Sequence, residues 1–297
     1  MELALGVDVG GTNVRVAAVD SRGQIVLLLQ EPTSQQLVQQ IHQMTEKIKF
    51  QVKQPLLGIG LGWPGAVRQK DGLVLETPNL KQFQNFPLKA ELISRLGMKV
   101  EIENDAKCAA LGESRFGVAQ GLSDFILLTF GTGIGGALCA NSQLIRGSSG
   151  LAGEMGHLCL YPNGLKCGCG GLGCLEQYVS ARALERRAFE KFNCALSSRE
   201  ILEETSSKYQ DLINDYVSDL AVGLRSLVNI FNPEAVIFAG GLFTSGGGPL
   251  LEKLETQLRQ QGFPSNKQKL KLLASSLGGT SGILGAASLC FPLIAVQ

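Results

Sequence analysis

Twice along this chain, a short apolar run ends in a turn of glycine and threonine and then resumes. Leu3 to Val9 closes on Asp8-Val9-Gly10-Gly11-Thr12 and is followed by Val14 to Val19 and Gly23 to Gln30. Asp124 to Phe130 closes on Gly131-Thr132-Gly133-Ile134-Gly135-Gly136 and is followed by Ala137 to Ala140 and Gln143 to Ile145. Runs of this length, bounded by turn residues, read as strands. Ser21-Arg22-Gly23 and Asn141-Ser142 suit hairpin turns, so each half opens antiparallel. The halves repeat an architecture rather than a sequence. Gly117 to Gly121 separates them, which predicts two domains, 1–117 and 118–297.

Between the strands lie helical patterns, so the fold class is α/β. Thr33 or Ser34 can cap a helix carrying Leu37, Ile41, Met44 and Ile48 at helical spacing. His42 lies beside that stripe and reads as a boundary residue. Leu56 to Leu61 reads as a buried strand ended by Gly62-Trp63-Pro64-Gly65, where Trp63 reads as packing. Pro87 suits the first turn of a helix running to Leu96, and Gly97 suits its C-cap. Lys99 to Glu103 reads as a strand, and Asn104-Asp105 opens a small-residue helix to Phe116. Glu176 to Phe192 reads as one helix, and Ser197-Ser198-Arg199-Glu200 as a capping box. Asp211 to Phe231 is the longest helix, stopped by Asn232-Pro233. Ala235 to Ala239 is a strand leading into Gly240-Gly241. A helix from Pro249 to Gln261, a strand from Lys269 to Ala274 and a helix from Thr280 to Leu289 complete the order.

Charge narrows the partners. Lys and Arg number 27 against 26 Asp and Glu, which predicts neither a nucleic-acid nor a membrane-surface partner. The N-terminus lacks the basic region of a signal peptide, and no apolar run is long enough to span a membrane. The chain reads as cytoplasmic, where thiols stay reduced and clustered cysteines bind metal more often than they form disulfides.

One segment concentrates such ligands. His157, Cys167, Cys169 and Cys174 take one of two histidines and three of eight cysteines. One His and three Cys are the ligand set of a closed structural Zn²⁺ site; a free-thiol loop with a satisfied histidine is the plainer alternative. Cys108, Cys139, Cys159, Cys194 and Cys290 read as packing residues. In the first glycine turn, backbone N–H groups can approach phosphate oxygens, Thr12 adds a hydroxyl, and Asp8 can hold Mg²⁺. The second turn pairs with it, as if both gripped one triphosphate. Neither is a Walker A loop, because Gly-Lys-Ser/Thr is missing. Gly240-Gly241 is either a simple turn or a close backbone approach to a nucleoside. Asn104-Asp105, taken alone, reads as a helix N-cap.

These pieces, in this order, resemble the ROK family of bacterial sugar kinases and related repressors, over nearly the whole chain. The most specific match is Gly153-Glu154-Met155-Gly156-His157 followed by Cys167-Gly168-Cys169-Gly170-Gly171-Leu172-Gly173-Cys174-Leu175-Glu176. The resemblance implies a two-lobed actin-like (ribonuclease-H-like) fold with sugar and ATP in the cleft between lobes. It implies that Asp105 is the base activating a sugar hydroxyl, usually the 6-hydroxyl of a hexose. Asn104, Glu154, His157 and Glu176 match sugar ligands, with Gly65 and Asn79 close by. Asp8, Gly10, Gly11, Thr12, Thr132 and Gly133 match phosphate positions, and Gly240 and Gly241 the nucleoside side. The last helix is expected to pack on the N-terminal lobe. The turn before it departs from the family's usual Asp and Ala, reading Gly279-Thr280-Ser281-Gly282, where Thr280 can still cap. Relatives are commonly homodimers or homotetramers.

The expected function is ATP-dependent phosphorylation of a hexose, with glucose first. N-acetylglucosamine, N-acetylmannosamine, mannose, fructose and allose stay open, as does a polyphosphate donor. A sugar-sensing regulator and an ATP-binding assembly protein of the actin class are the other readings. The zinc site, having four protein ligands, is expected to stiffen its loop rather than catalyse. His157 can then place one ring nitrogen on zinc and the other on a sugar hydroxyl.

Overall fold

The computed structural model describes residues 2–77, 80–203, 207–244, 247–260 and 269–292. The chain divides into two compact units. The first comprises Met1–Gly121, Leu144–Ala152 and Thr280–Gln297, the second Leu122–Gln143 and Gly153–Gly279. The segment Leu144–Ala152 thus belongs with the first unit although it follows the opening strands of the second half.

The first unit is built on β1 (Leu3–Val9), β2 (Asn13–Asp20), β3 (Ile25–Pro32), β4 (Leu56–Trp63) and β7 (Val100–Asn104), in the order β3-β2-β1-β4-β7. β1 pairs antiparallel with β2 and parallel with β4, and β4 runs parallel to β7. A small hairpin, β5 (Ala66–Arg68) with β6 (Leu73–Glu76), stands apart. β1 is buried almost throughout, as a central strand covered on both faces must be. The edge strand β3 alternates between half-buried and exposed residues. The helix Leu37–Val52 buries Leu37, Ile41, Met44 and Ile48 in this unit's core. Its N-cap position is Gln36, with no side-chain cap bond. Ser34 instead accepts from the Gln36 N–H at 3.1 Å, ahead of the helix rather than at its cap.

Two further helices pack closely here, one of them directly on β1 and against the other by backbone contact. A Cβ added at Gly6 of β1 would lie 2.1 Å from the Ile283 carbonyl oxygen, and one at Gly285 would lie 1.6 Å from that of Cys108. Only hydrogen fits at either place. The helix Ser281–Ser288 therefore nests between β1 and the helix Asp105–Phe116. Thr280 occupies its N-cap position without a side-chain cap bond.

The second unit repeats the plan. β8 (Phe125–Phe130), β9 (Ile134–Ala140), β10 (Gln143–Leu144), β11 (Ala235–Ala239) and β12 (Lys271–Ala274) lie in the order β10-β9-β8-β11-β12. Its first two strands are again antiparallel and its last pairings parallel. Sharing one strand order, the two sheets make this a duplicated actin-like α/β fold. Asn141 and Ser142 both take positive φ, 51° and 60°, the demand of a type I′ hairpin turn. The Ser197–Glu200 capping box forms, with Ser197 N donating to Glu200 Oε2 at 2.8 Å and Glu200 N to Ser197 Oγ at 3.3 Å. The expected single helix from Glu176 to Phe192 is two, Glu176–Val179 and Ala181–Phe192. Ser180 breaks it: its backbone is extended, at φ −73° and ψ 165°, and its Oγ accepts from Ala183 N at 3.1 Å, acting as an internal N-cap.

All eight cysteines are free thiols. Cys108, Cys139 and Cys290 are buried as expected, whereas Cys159 is exposed. Its Sγ lies 3.7 Å from the Leu172 carbonyl oxygen. Among the described residues, no helix is long and apolar enough to cross a membrane.

Candidate active site

In the first unit, β7 ends at Asn104 and a helix starts at Asp105. Asn104 has the extended backbone of an N-cap, and its Oδ1 accepts from Lys107 N at 3.1 Å. Its amide nitrogen donates to Asp105 Oδ1 at 2.9 Å and to the Gly65 carbonyl at 3.0 Å. Asp105 Oδ1 also accepts the Ala106 N–H at 2.8 Å. The carboxylate is thus oriented by two donors beside the positive end of a helix. Gly65 is held by φ of 110° and by the Glu76 carbonyl oxygen, which a Cβ would meet at 2.4 Å. Asn79, expected near it, lies outside the described residues.

Asp8 is the other carboxylate singled out in this unit. It sits at the end of β1, where Oδ2 is paired with Arg15 of β2. A Cβ on Gly282 would approach Asp8 Oδ1 at 3.5 Å, so the start of the helix Ser281–Ser288 also lies against it. The turn after it closes with Gly10 N donating to Asn13 O at 2.9 Å. Thr33 latches the turn, its Oγ1 donating to Gly10 O at 2.7 Å and its N–H to Thr12 O at 2.9 Å. Gly11 and Thr12 are exposed, and nothing stands within 4 Å of a Cβ at Gly11. The sequence points to Thr33 only as a helix cap and does not point to Arg15; Thr33 instead bonds the turn. The alternation of β2 does place Arg15 opposite Asp8 once the pairing register is known.

In the second unit, the cysteine segment folds back on itself. Leu160 N and Tyr161 N donate to Gly173 O, and Cys167 N donates to Gly171 O, at 2.7, 3.2 and 2.9 Å. The result brings one donor atom each from His157, Cys167, Cys169 and Cys174 within 4.8 Å of one another. Cys169 Sγ lies 3.6 Å from Cys174 Sγ, and Cys167 Sγ 3.5 Å from His157 Nδ1. Two thiolates on one tetrahedral zinc are about 3.8 Å apart, so both the donor set and the spacing fit that ion. Without a cation, burial pushes the Cys167 thiol up to about 12 and also raises that of Cys174. The Gly171 backbone N–H lowers that of Cys169.

The short turn Met155–His157 is pressed onto β9: a Cβ at Gly156 would lie 2.3 Å from Ile134 O, and one at Gly136 would lie 2.4 Å from Gly153 O. These approaches explain the glycines around Glu154 and His157. Glu154 itself is exposed. Glu176 reaches two ways. Its Oε1 accepts from Cys167 Sγ at 3.1 Å, and its Oε2 accepts Ile134 N at 3.4 Å. A Cβ at Gly133 would lie 2.6 Å from Glu176 Oε2. The second glycine turn and the cysteine segment therefore share one carboxylate, a link that no spacing in the sequence announces. In the same turn, Thr132 is exposed and Gly131 N donates to Gly133 O at 3.0 Å. Gly240 has φ of 94° and packs on β8, where a Cβ would meet Phe130 O at 2.2 Å, while Gly241 faces open space.

The chain is similar to known proteins over nearly its whole length. The profile of the ROK family matches residues 4–291. The chain is 34% identical over 310 residues to a glucokinase of Thermotoga maritima, covering 96% of each chain. It is 32% identical over 309 residues to a xylose repressor of Caldicellulosiruptor bescii, covering 96% of this chain and 77% of the repressor. A solved ROK family glucokinase from Streptomyces griseus, in complex with glucose and AMPPNP, superposes with a TM-score of 0.84 at 33% identity, covering 97% of this chain and 98% of that one.

Proposed function

The chain belongs to the ROK family, and from that premise we propose that this hexose kinase transfers the γ-phosphoryl group of ATP to the 6-hydroxyl of glucose. The observation that carries the reading is the Asn104-Asp105 junction, where a carboxylate is aimed by a neighbouring amide and a helix N–H. In the proposed step, Asp105 accepts the hydroxyl proton as the hydroxyl oxygen attacks the γ-phosphorus. The bond to the β–γ bridging oxygen breaks and ADP leaves with that electron pair. A positioned base contributes about 10²–10⁴-fold, and charge stabilisation and orientation supply the rest.

On this reading, Asn104 and Gly65 contact the sugar, and Gly10, Gly11 and Thr12 contact the phosphates. The same reading assigns Glu154, His157 and Glu176 to the sugar, Thr132 and Gly133 to the phosphates, and Gly240 and Gly241 to the nucleoside. Bound Mg²⁺ would neutralise phosphate charge. It takes few protein ligands beside the phosphates and water, so the carboxylate of Asp8 is a sufficient protein contribution. We assign zinc to His157, Cys167, Cys169 and Cys174. With Nδ1 on the cysteine side, Nε2 is the nitrogen left for a sugar hydroxyl. The free thiols suit the cytoplasm.

The test is ADP release with glucose, mannose, fructose, allose, N-acetylglucosamine and N-acetylmannosamine, for the wild type and Asp105→Asn. The expected result is glucose as best acceptor and loss of turnover, with sugar binding retained, in the variant. Preference for another hexose would overturn glucose, and near-normal turnover of the variant would overturn the base. The similarity to a xylose repressor favours one second reading, a sugar sensor. It predicts sugar binding with no ADP released.

A further inference from the structure

Two ionisable side chains bracket Asn104-Asp105, and both are almost wholly buried. Glu103 is 1% exposed and Lys107 is 2% exposed. Neither touches the substrates in the mechanism above. Both reach the same piece of chain, Leu144–Ala152. Glu103 Oε2 accepts from Arg146 Nε at 2.6 Å, and Lys107 Nζ donates to the Gly150 carbonyl at 2.6 Å. The other oxygen of Glu103 accepts the backbone N–H of Asn104 at 3.0 Å.

The segment they hold is itself fixed. Ala152 N closes it onto Arg146 O at 3.0 Å. Gly150 has φ of 88° and packs against β5, where a Cβ would meet Val67 O at 2.6 Å. Charge adds a second reason for the pairing. The Cys108 thiol, fully buried, is pushed well up first by burial and then by the negative charges of Glu103, Asp105 and Asp8, and Arg146 opposes them. Arg146 is thus a cation set against a group of carboxylates that includes the proposed base.

We propose that Arg146 is a positioning residue for phosphoryl transfer: through Glu103 it fixes the backbone of Asn104 and with it the aim of the Asp105 carboxylate. The proposal rests on the reading of Asp105 as the base. The geometry supplies a continuous path, from Arg146 Nε to Glu103 Oε2, from Glu103 Oε1 to Asn104 N, and from the Asn104 amide to Asp105 Oδ1. A guanidinium holds such a carboxylate in one orientation, which an ammonium does less well. Small misplacements of a reacting group cost rate steeply.

The experiment compares wild type, Arg146→Met, Arg146→Lys, the double variant Glu103→Gln/Arg146→Met, and Asp105→Asn. Each is assayed for ADP release with glucose below its own melting temperature, and glucose binding is measured by calorimetry. Arg146→Met is expected to lower kcat by about tenfold or more. The KM for ATP and the affinity for glucose should each move by less than about twofold. Arg146→Lys should recover part of kcat. The double variant should regain thermal stability, having no stranded charge, and stay slow. A folded Arg146→Met with wild-type kcat would overturn the proposal. So would a double variant with wild-type kcat, which would trace the loss to the stranded Glu103 charge alone. If Arg146→Met does not fold, Arg146→Lys decides: a lowered kcat at unchanged KM supports positioning, and an unchanged kcat overturns it. An active Asp105→Asn would instead remove the underlying reading of the base, an outcome separate from any result at Arg146.

Discussion

His157 Nδ1 lies 3.5 Å from Cys167 Sγ, close to the edge of about 3.6 Å that an imidazole nitrogen and a thiolate share around one tetrahedral zinc. The same histidine ends the turn that begins after Glu154. A candidate ligand of the proposed zinc is therefore also a member of the proposed sugar-binding set, and a zinc bound there would fix which ring nitrogen remains for the sugar.

Removing the metal should act on the sugar before the nucleotide. One zinc per chain is expected by elemental analysis, and Cys167→Ala should lose it. Glucose affinity should then fall by about tenfold or more, in the range seen for disturbed metal shells, while the KM for ATP changes little. Unchanged glucose affinity in the zinc-free protein would separate the metal from sugar binding.

Alanine at Gly11 or at Gly131 meets nothing within 4 Å, and neither glycine takes positive φ. Stability should move by no more than about 0.5 kcal/mol at either place. If the turns cradle phosphates, the KM for ATP should nonetheless rise several-fold, because the added methyl occupies the approach. A thermal melt and an ATP titration on the same samples read the two effects apart. An unchanged KM for ATP would argue against phosphate contact at that turn.

Gly285→Ala should do the reverse. Its Cβ would lie 1.6 Å from the Cys108 carbonyl oxygen, and the helix Ser281–Ser288 would have to move off its neighbour. Overpacking of this kind costs about 1–3 kcal/mol or more. Urea unfolding should show a lowered midpoint, and a midpoint equal to wild type would mean that the two helices are less tightly nested.

Alkaline pH should loosen the anchor of the cysteine segment. Tyr161 donates to Asp219 at 2.6 Å, and Arg187 holds the other Asp219 oxygen at 2.7 Å. That hydrogen bond, with burial second, raises the Tyr161 phenol from its ordinary 10 to about 12. The folded-state value is the higher one, so the contribution is complete below the unfolded value and is lost as pH rises through the folded one. Stability should therefore fall between pH 10 and 12, and Tyr161→Phe should remove that part of the decline. Denaturant midpoints measured across the window, in both proteins, provide the check.

Much of the fold and site is legible in local pattern. The strand-turn-strand openings, the Asn104 cap and the His157 to Cys174 ligand set each depend on residues close together in the chain. Their chemistry is set by backbone geometry and side-chain type within a few turns. The helix expected over 176–192 went wrong for a local reason too: Ser180 competes for a backbone N–H, and periodicity does not register that.

What lay beyond local pattern is contact across long stretches of chain. Arg146 meets Glu103 over 43 residues, and Thr33 meets Gly10 over 23. Glu176 joins the cysteine segment to the second glycine turn, 42 residues away. Each is a polar side chain whose partner exists only once the sheets have formed and burial has made an unpaired group costly. The sequence supplies the reacting groups because their types and spacing are chemistry. Their aim is settled by packing, because a carboxylate's direction depends on which distant donors the fold delivers to it.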